Sequence, residues 1–309
     1  MMPTNASSLD LAAKILPQDI KTALYSLPSD KRNNLTEIRL RLGKTLAARD
    51  RFDEFSLCSS DKIKVSREHI DAVILRAFRN SIHSHKREFS QGYITIEGGS
   101  RVGFCGTAAL NPENNFSIEN IKDISSVNIR IAHEIKNCGA EIYNKYLSQN
   151  LMSILIAGPP SSGKTTILRD LTRLAGNFHR VSLIDERCEI AAVCKGFPQN
   201  DVGIMTDVFD GYGKYEGIMT AIKVMSPEII VCDEIGGEED FKSLVYALNS
   251  GVKIIASCHC DNSEDLMRKP IISKLIEYGA FDISVMLDGC QRLGQVTLLK
   301  GLRRDPCLN

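Results

Sequence analysis

The second half of the chain alternates between short apolar runs and stretches of helical periodicity. Leu151–Ala157, Arg180–Ile184, Glu228–Cys232 and Val252–Ala256 read as strands. Residues 166–174, 217–225 and 239–250 carry apolar positions at helical spacing between them. Strand and helix in alternation predict a parallel sheet with crossovers. Residues 196–216, rich in Gly, Asp and Tyr, read as a long functional loop. Phe281–Met286 and Gln295–Leu299, separated by Gly289 and Gly294, suit a closing hairpin.

The first half follows a different pattern. Residues 1–36 read as helical with breaks at Pro17 and Pro28. Ile38, Leu40 and Leu42 then alternate with Arg39 and Arg41, the signature of a half-buried strand ending at Gly43. Residues 67–81 suit a helix, Tyr93–Glu97 and Arg101–Cys105 a hairpin around Gly98-Gly99, and Val127–Ile131 another strand. His133–Gln149 is predicted as a helix leading into the second half. The chain therefore divides into a smaller α+β domain over residues 1–135 and an α/β domain over 136–309. No internal repeat or low-complexity tract interrupts either.

The chemistry begins where the first buried strand ends. Gly158-Pro159-Pro160-Ser161-Ser162-Gly163-Lys164-Thr165 fits G-x-x-x-x-G-K-[ST], the phosphate-binding P-loop, and stands between a strand and a helix as that motif requires. The glycines let successive backbone N–H groups turn toward phosphate oxygens. Lys164 is placed to reach the β- and γ-phosphates, the Thr165 hydroxyl to ligate Mg²⁺, and the helix opening at Thr166 to add its dipole. ATP with Mg²⁺ is the expected ligand.

Further along, Ile229-Ile230-Val231-Cys232-Asp233-Glu234 has the form of a Walker B strand. In an open parallel sheet, ligands bind outside the carboxyl ends of the strands, so an acidic pair there lies beside the P-loop. Asp233 is the candidate for holding Mg²⁺ through water, and Glu234 for orienting or polarising the attacking water. Asp185, Glu186 and Glu189 form a second acidic cluster. It is either part of the site or an ordinary polar strand end paired with Arg187. His259 follows Ala256-Ser257-Cys258 at another strand end, as a γ-phosphate sensor or as a structural histidine.

Composition narrows the setting. With 309 residues, two domains of ~150 residues each are the soft expectation. Lys+Arg and Asp+Glu both total 38, so zero formal net charge gives no support to nucleic acid or an acidic membrane surface as the main partner. No apolar run approaches the ~20 residues of a bilayer span, and the first residues have no apolar core typical of a signal peptide, so a cytoplasmic location is expected. The 10 cysteines include no C-x-x-C and mostly sit in apolar runs, as buried thiols do. Cys258-His259-Cys260 is not read as a metal cluster, because strand alternation sends His259 to the face opposite both thiols.

The succession of the P-loop, Leu183–Ile190 (LIDERCEI), Met225–Gly237 (MSPEIIVCDEIGG) and Gly251–Asn262 (GVKIIASCHCDN) resembles the Walker A, acidic, Walker B and histidine boxes of type II and type IV secretion ATPases. Within that superfamily, EIRLRLGKTL near residue 40, GGSRVGFCG near 100, SVNIRIA near 128 and the run from Thr206 to Gly236 resemble a sporulation ATPase family of endospore-forming bacteria. The resemblance implies a RecA-like P-loop NTPase domain of the AAA+ superfamily, a hexameric ring, and a mother-cell location on the cytoplasmic side. It implies membrane proteins of a channel between mother cell and forespore as partners. It also implies that arginines of the N-terminal domain reach the phosphates, with Arg101 and Arg130 the matching candidates, although strand arginines are often simply solvated. Two departures stand out: Ile235-Gly236-Gly237 replaces the usual Arg-Asp after Walker B, and the tetra-cysteine zinc module of some type II members is missing.

Two other readings remain open at this point, a nucleic-acid translocase and a P-loop phosphotransferase acting on a small metabolite. Zero net charge and the lack of Trp speak against the first. The N-terminal domain and the histidine strand fit the second poorly. No N-K-x-D motif follows the P-loop, which argues against a GTPase switch.

Overall fold

The computed structural model of the chain describes residues 7–50, 52–57, 63–78, 92–111, 117–287 and 296–299. The chain divides into two compact units, residues 1–134 with 194–199, and residues 135–193 with 200–309.

The first unit runs through α1 (Ser8–Ala13), α2 (Gln18–Tyr25), α3 (Ser29–Asn33), β1 (Glu37–Arg41), β2 (Ala47–Arg49), β3 (Glu54–Ser56), α4 (Arg67–Ala77), β4 (Tyr93–Thr95), β5 (Arg101–Asn111) and β6 (Ser117–Arg130). Pro17 and Pro28 sit at the N-caps of α2 and α3, where a missing N–H costs nothing. The six strands pair antiparallel in the order β3-β2-β1-β6-β5-β4. Alternation sorts the two faces of this sheet. Ile38, Leu40, Val102 and Ile129 are buried in a core with Leu16, Ile20, Leu24, Ile70 and Phe78, while Arg39, Arg41, Arg101 and Arg130 share the other face. The predicted hairpin is the β4–β5 pair, with Gly98 and Gly99 at φ +85° and +77° in its turn. The Asn111-Pro112-Glu113-Asn114-Asn115 segment, a loop by its composition, falls for the most part outside the described residues.

The second unit holds α5 (Ala140–Tyr146), β7 (Ile154–Gly158), α6 (Lys164–Ala175), β8 (Val181–Asp185), β9 (Thr206–Asp210), α7 (Lys214–Val224), β10 (Ile229–Cys232), α8 (Glu238–Asn249), β11 (Lys253–His259), α9 (Ser263–Arg268), α10 (Pro270–Glu277), β12 (Ile283–Leu287) and β13 (Val296–Leu299). Its sheet runs β13-β12-β7-β11-β10-β8-β9, parallel except for the antiparallel β12–β13 pair. The fold class is α/β. Every residue of β7, β8 and β10 is buried, because helices cover both faces. Ile167, Leu168 and Leu171 of α6 pack with Ile156, Leu183 and Val231 on one side. Ile218 of α7, Leu244 of α8 and Leu275 of α10 pack with Leu155, Ile230 and Ile254 on the other.

Three sequence expectations need correction. The helix expected over His133–Gln149 is confined to Ala140–Tyr146, because Asn137 adopts φ +65° and the Gly139 N–H is drawn 2.8 Å from the buried Asp170 carboxylate. The loop expected over 196–216 contains strand β9, which pairs with β8. The helix expected from Gly217 begins at Lys214, so a lysine assigned to the loop is the first residue of α7.

Gly203, at φ +88°, lets the chain entering β9 pass against the end of α6; a Cβ there would lie 2.5 Å from the carbonyl carbon of Gly176. Left-handed strain and a backbone clash act together in Gly203→Ala, which is expected to cost about 2–4 kcal/mol, read as a lower urea midpoint.

Candidate functional site

The carboxyl ends of β7, β8, β10 and β11 lie along one edge of the sheet, where Lys164, Arg187, Asp233, Glu234 and His259 collect. β7 ends at Gly158, where a Cβ would approach Ser162 Oγ to 2.7 Å, so the loop closes this tightly only over glycine. Ser161 (φ +62°) and Gly163 (φ +93°) take left-handed conformations that curl the backbone into α6. Lys164 is only 7% exposed. Its Nζ donates to the carbonyls of Gly158 at 2.8 Å and Pro159 at 2.7 Å, and to His259 Nδ1 at 3.0 Å. Burial lowers its pKa, which Cys258, Cys260 and Glu234 partly counter.

His259 arrives by register, since β11 pairs with β7 so that His259 lies opposite Gly158. An ammonium only donates, so Nδ1 accepts and the ring proton belongs on Nε2, which faces Glu234 Oε1 at 3.2 Å. The other Glu234 oxygen, Oε2, pairs with the Arg187 guanidinium. Lys164, His259, Glu234 and Arg187 thus form one continuous polar chain across the site.

Asp233 and Glu234 follow β10 directly. Asp233 is 4% exposed, and its Oδ1 has no hydrogen-bond partner. Burial first, then the neighbouring Asp185, pushes its pKa up to about 6, against the opposing pull of Lys214 and Arg187. Asp185 itself accepts N–H groups from Glu189, Ile190 and Ala191 and so fixes the loop after β8. Glu234 sits at φ +46°. Its N–H donates to Ser257 Oγ at 3.0 Å, and the next N–H, of Ile235, to the Ser257 carbonyl at 2.8 Å.

A cavity of about 390 Å³ is lined by Ser161 to Thr166, Arg187, Glu189, Asp233, Glu234, Ser257 and His259, with Ile135 at its side. The structure therefore brings together the P-loop from Gly158 through Thr166 (Pro159 and Pro160 included), the acidic pair and the histidine. Glu186 is not in this lining; its carboxylate turns to Lys214 Nζ at 3.1 Å. Arg101 and Arg130 belong to the first unit, where they are direct cross-strand partners, with Arg101 4.9 Å over the Tyr93 ring and Arg130 also opposite Glu37. Sequence reasoning weighed Arg187 only as a partner for its own acidic cluster and passed over Ser257. Ser257 stands two residues before His259 on one strand and therefore on the same face, a signal available in the sequence.

The residues fit a nucleotide phosphate group with a divalent cation. Two buried polar atoms, Asp233 Oδ1 and Ser162 Oγ, lack partners. The loop is a glycine-closed concavity with the Thr165 hydroxyl in its lining, and Lys164 holds only neutral acceptors that an anion would outcompete.

A family model described as "Sporulation stage III, protein AA" matches residues 10–303. Stage III sporulation protein AA of Bacillus subtilis (strain 168) is 36% identical over 292 residues, covering 92% of each chain. An uncharacterized ycf45 protein of Cyanidium caldarium is 28% identical over 188 residues, 60% of this chain and 55% of its own. Among solved structures, the ATPase DotB of Legionella pneumophila superposes with a TM-score of 0.57 at 13% identity, over 96% of this chain and 81% of DotB. The pilus retraction motor PilT with bound ADP gives 0.57 at 13% identity, over 91% and 78%. At such identities the likeness is one of fold.

Asp233 carries a direct prediction. Its pKa is raised in the folded state, so the folded protein holds a proton there more tightly than the unfolded chain does. The associated stability is complete below the unfolded value of 3.8 and is lost as pH rises to about 6. At ~1.4 kcal/mol per pKa unit the loss is about 3 kcal/mol. Asp233→Asn is expected to be more stable than the wild type at pH 8 in magnesium-free buffer, with the advantage shrinking toward pH 4, as urea denaturation at both pH values checks.

Proposed function

The chain belongs to the sporulation stage III protein AA family, and from that premise we propose that it is a Mg²⁺-dependent ATPase energising a channel complex between mother cell and forespore. The observation that carries this reading is the chain of contacts from Lys164 through His259 to Glu234, next to the unpaired Asp233 Oδ1. A site that only held a nucleotide has no need to connect its P-loop lysine to a carboxylate at the γ-phosphate end. The fold shared with DotB, an ATPase, and with PilT, a motor with bound ADP, supports the same reading.

In this mechanism the P-loop N–H groups and Lys164 bind the β- and γ-phosphates, and Thr165 and Asp233 are the residues that would hold Mg²⁺. When bound there, Mg²⁺ would supply positive charge against the charge developing on the phosphates. Glu234 orients water in line with the γ-phosphate and takes up its proton. Lys164 reaches phosphate by leaving His259, which strips Nδ1 of its donor and makes the imidazole report on nucleotide occupancy. Arg187 neutralises Glu234 before nucleotide binds and is close enough to move to the γ-phosphate side afterwards.

We assign Arg101 and Arg130 to the phosphates as well, in the chain's own site or in a neighbour's within a hexameric ring of AAA+ type. No helix among the described residues is long and apolar enough to cross a membrane. We place the protein at the mother-cell face of the membrane, held through membrane proteins of the channel.

Purified protein is expected to release phosphate from MgATP without a phosphorylated acceptor. Lys164→Ala is expected to abolish nucleotide binding. Glu234→Gln is expected to bind ATP normally and turn over at least ~100-fold more slowly; full activity in that variant would remove Glu234 from the mechanism. Light scattering with a non-hydrolysable ATP analogue is expected to give the mass of a hexamer, and a monomer hydrolysing at the wild-type rate would overturn the ring.

A further inference from the structure

We propose that Lys214 is a positioning residue for ATP hydrolysis, clamping the turn after β10 so that Asp233 and Glu234 face the phosphates, with Glu186 as its counter-ion. The inference rests on the ATPase reading above and assigns a part to residues outside the phosphate cavity.

Lys214 opens α7, directly after Gly211-Tyr212-Gly213. Its side chain is 12% exposed, and Nζ has three acceptors: the carbonyls of Asp233 at 3.2 Å and Glu234 at 3.0 Å, and Glu186 Oε2 at 3.1 Å. An ammonium has three protons to donate, so this one is fully used. A lysine is seldom buried without a purpose, because desolvation of the charge must be offset by such contacts. Burial alone would lower its pKa; Asp240 and Glu186 more than reverse that, so the group stays charged.

The turn needs a clamp because its backbone is strained. β10 ends at Cys232, which leaves the carbonyls of Asp233 and Glu234 beyond the parallel ladder. Glu234 at φ +46° holds a conformation that costs a non-glycine residue ~1–3 kcal/mol and persists only when neighbours over-determine it. Ser257 binds the N–H side of the turn, at Glu234 and Ile235. Lys214 binds the carbonyl side. With both sides of the backbone held, the Asp233 and Glu234 side chains are left to the cavity. Glu186 then has a defined place: it supports the cation that supports the turn, rather than touching the phosphates.

The test uses the full chain and compares wild type with Lys214→Met, Lys214→Arg, Glu186→Gln and the Lys214→Met/Glu186→Gln double variant. Steady-state MgATP hydrolysis, equilibrium binding of a fluorescent ATP analogue and thermal unfolding are measured for each. Lys214→Met keeps the aliphatic stem and is expected to lower kcat by on the order of 10–100-fold, with nucleotide affinity within ~3-fold of wild type, the scale of loss that follows misplacement of a reacting group by about 1 Å. Lys214→Arg is expected to recover part of the loss. Glu186→Gln is expected to lower kcat less, and to add nothing in the Lys214→Met background, as residues acting through one another do. Should Lys214→Met not fold, Lys214→Arg and Glu186→Gln still decide: either one hydrolysing at the full wild-type rate overturns the clamp. A kcat loss in Glu186→Gln that multiplies with that of Lys214→Met would put Glu186 on the reaction itself and overturn its role as counter-ion. A wild-type chain without turnover overturns the ATPase reading, whereas an active wild type matched by an equally active Lys214→Met overturns this inference alone.

Discussion

The pairing of β11 with β7 sets His259 opposite Gly158, and the arrangement of the whole site depends on that register. A shift of one residue would turn the histidine to the other face of the sheet and leave Lys164 without its third acceptor. Such a slip is opposed along the full length of the ladder, because Ile254, Ile255 and Ala256 are buried on alternate faces against helices on both sides. Core packing thus fixes a contact between two polar side chains at the strand ends. The chemistry inherits its precision from residues that take no part in it.

Burial at those strand ends has produced two kinds of charged group, distinguished by how fully they are satisfied. Asp185 accepts three backbone N–H groups and Lys214 meets three acceptors; both are committed to holding loops in place. Asp233 is just as buried but keeps an oxygen without a partner, and Lys164 spends its charge on neutral carbonyls and an imidazole. A buried charge left short of matched partners is costly in an unliganded protein unless a ligand completes it. The division between framework and reactive groups therefore follows from hydrogen-bond saturation.

Much of this was legible in the amino-acid order. The P-loop and the strand before Asp233-Glu234 could be read because each concentrates a local signal, a glycine-lysine turn or an apolar run with an abrupt acidic end, within a few residues. The alternation of Ile38 and Leu40 with Arg39 and Arg41 likewise announced β1. Other parts depend on partners distant in sequence. β9 is short and carries two aspartates, and it is a strand because β8 offers a ladder for it to join. The segment before α5 leaves the helical path because Asn137 turns left-handed and Asp170, on another helix, captures the Gly139 N–H. Lys214 was hidden for the same reason: two of its acceptors lie 19 and 20 residues further along the chain, in the turn after β10, and the third, Glu186, follows β8.

Charge in the cavity also bears on why such a site would reach for arginines beyond its own loop. Two cations, Lys164 and Arg187, face three carboxylates, Asp233, Glu234 and Glu189. A triphosphate adds several negative charges to a lining that is already short of positive ones, and Mg²⁺ supplies only two. Arg187 does not close the gap, since moving it to phosphate would release Glu234 from its ion pair. Glu234 so released is a better base, so the exchange aids proton uptake while leaving the phosphates under-neutralised. Further positive charge must then come from outside this lining. In the proposed mechanism the requirement falls to Arg101 and Arg130.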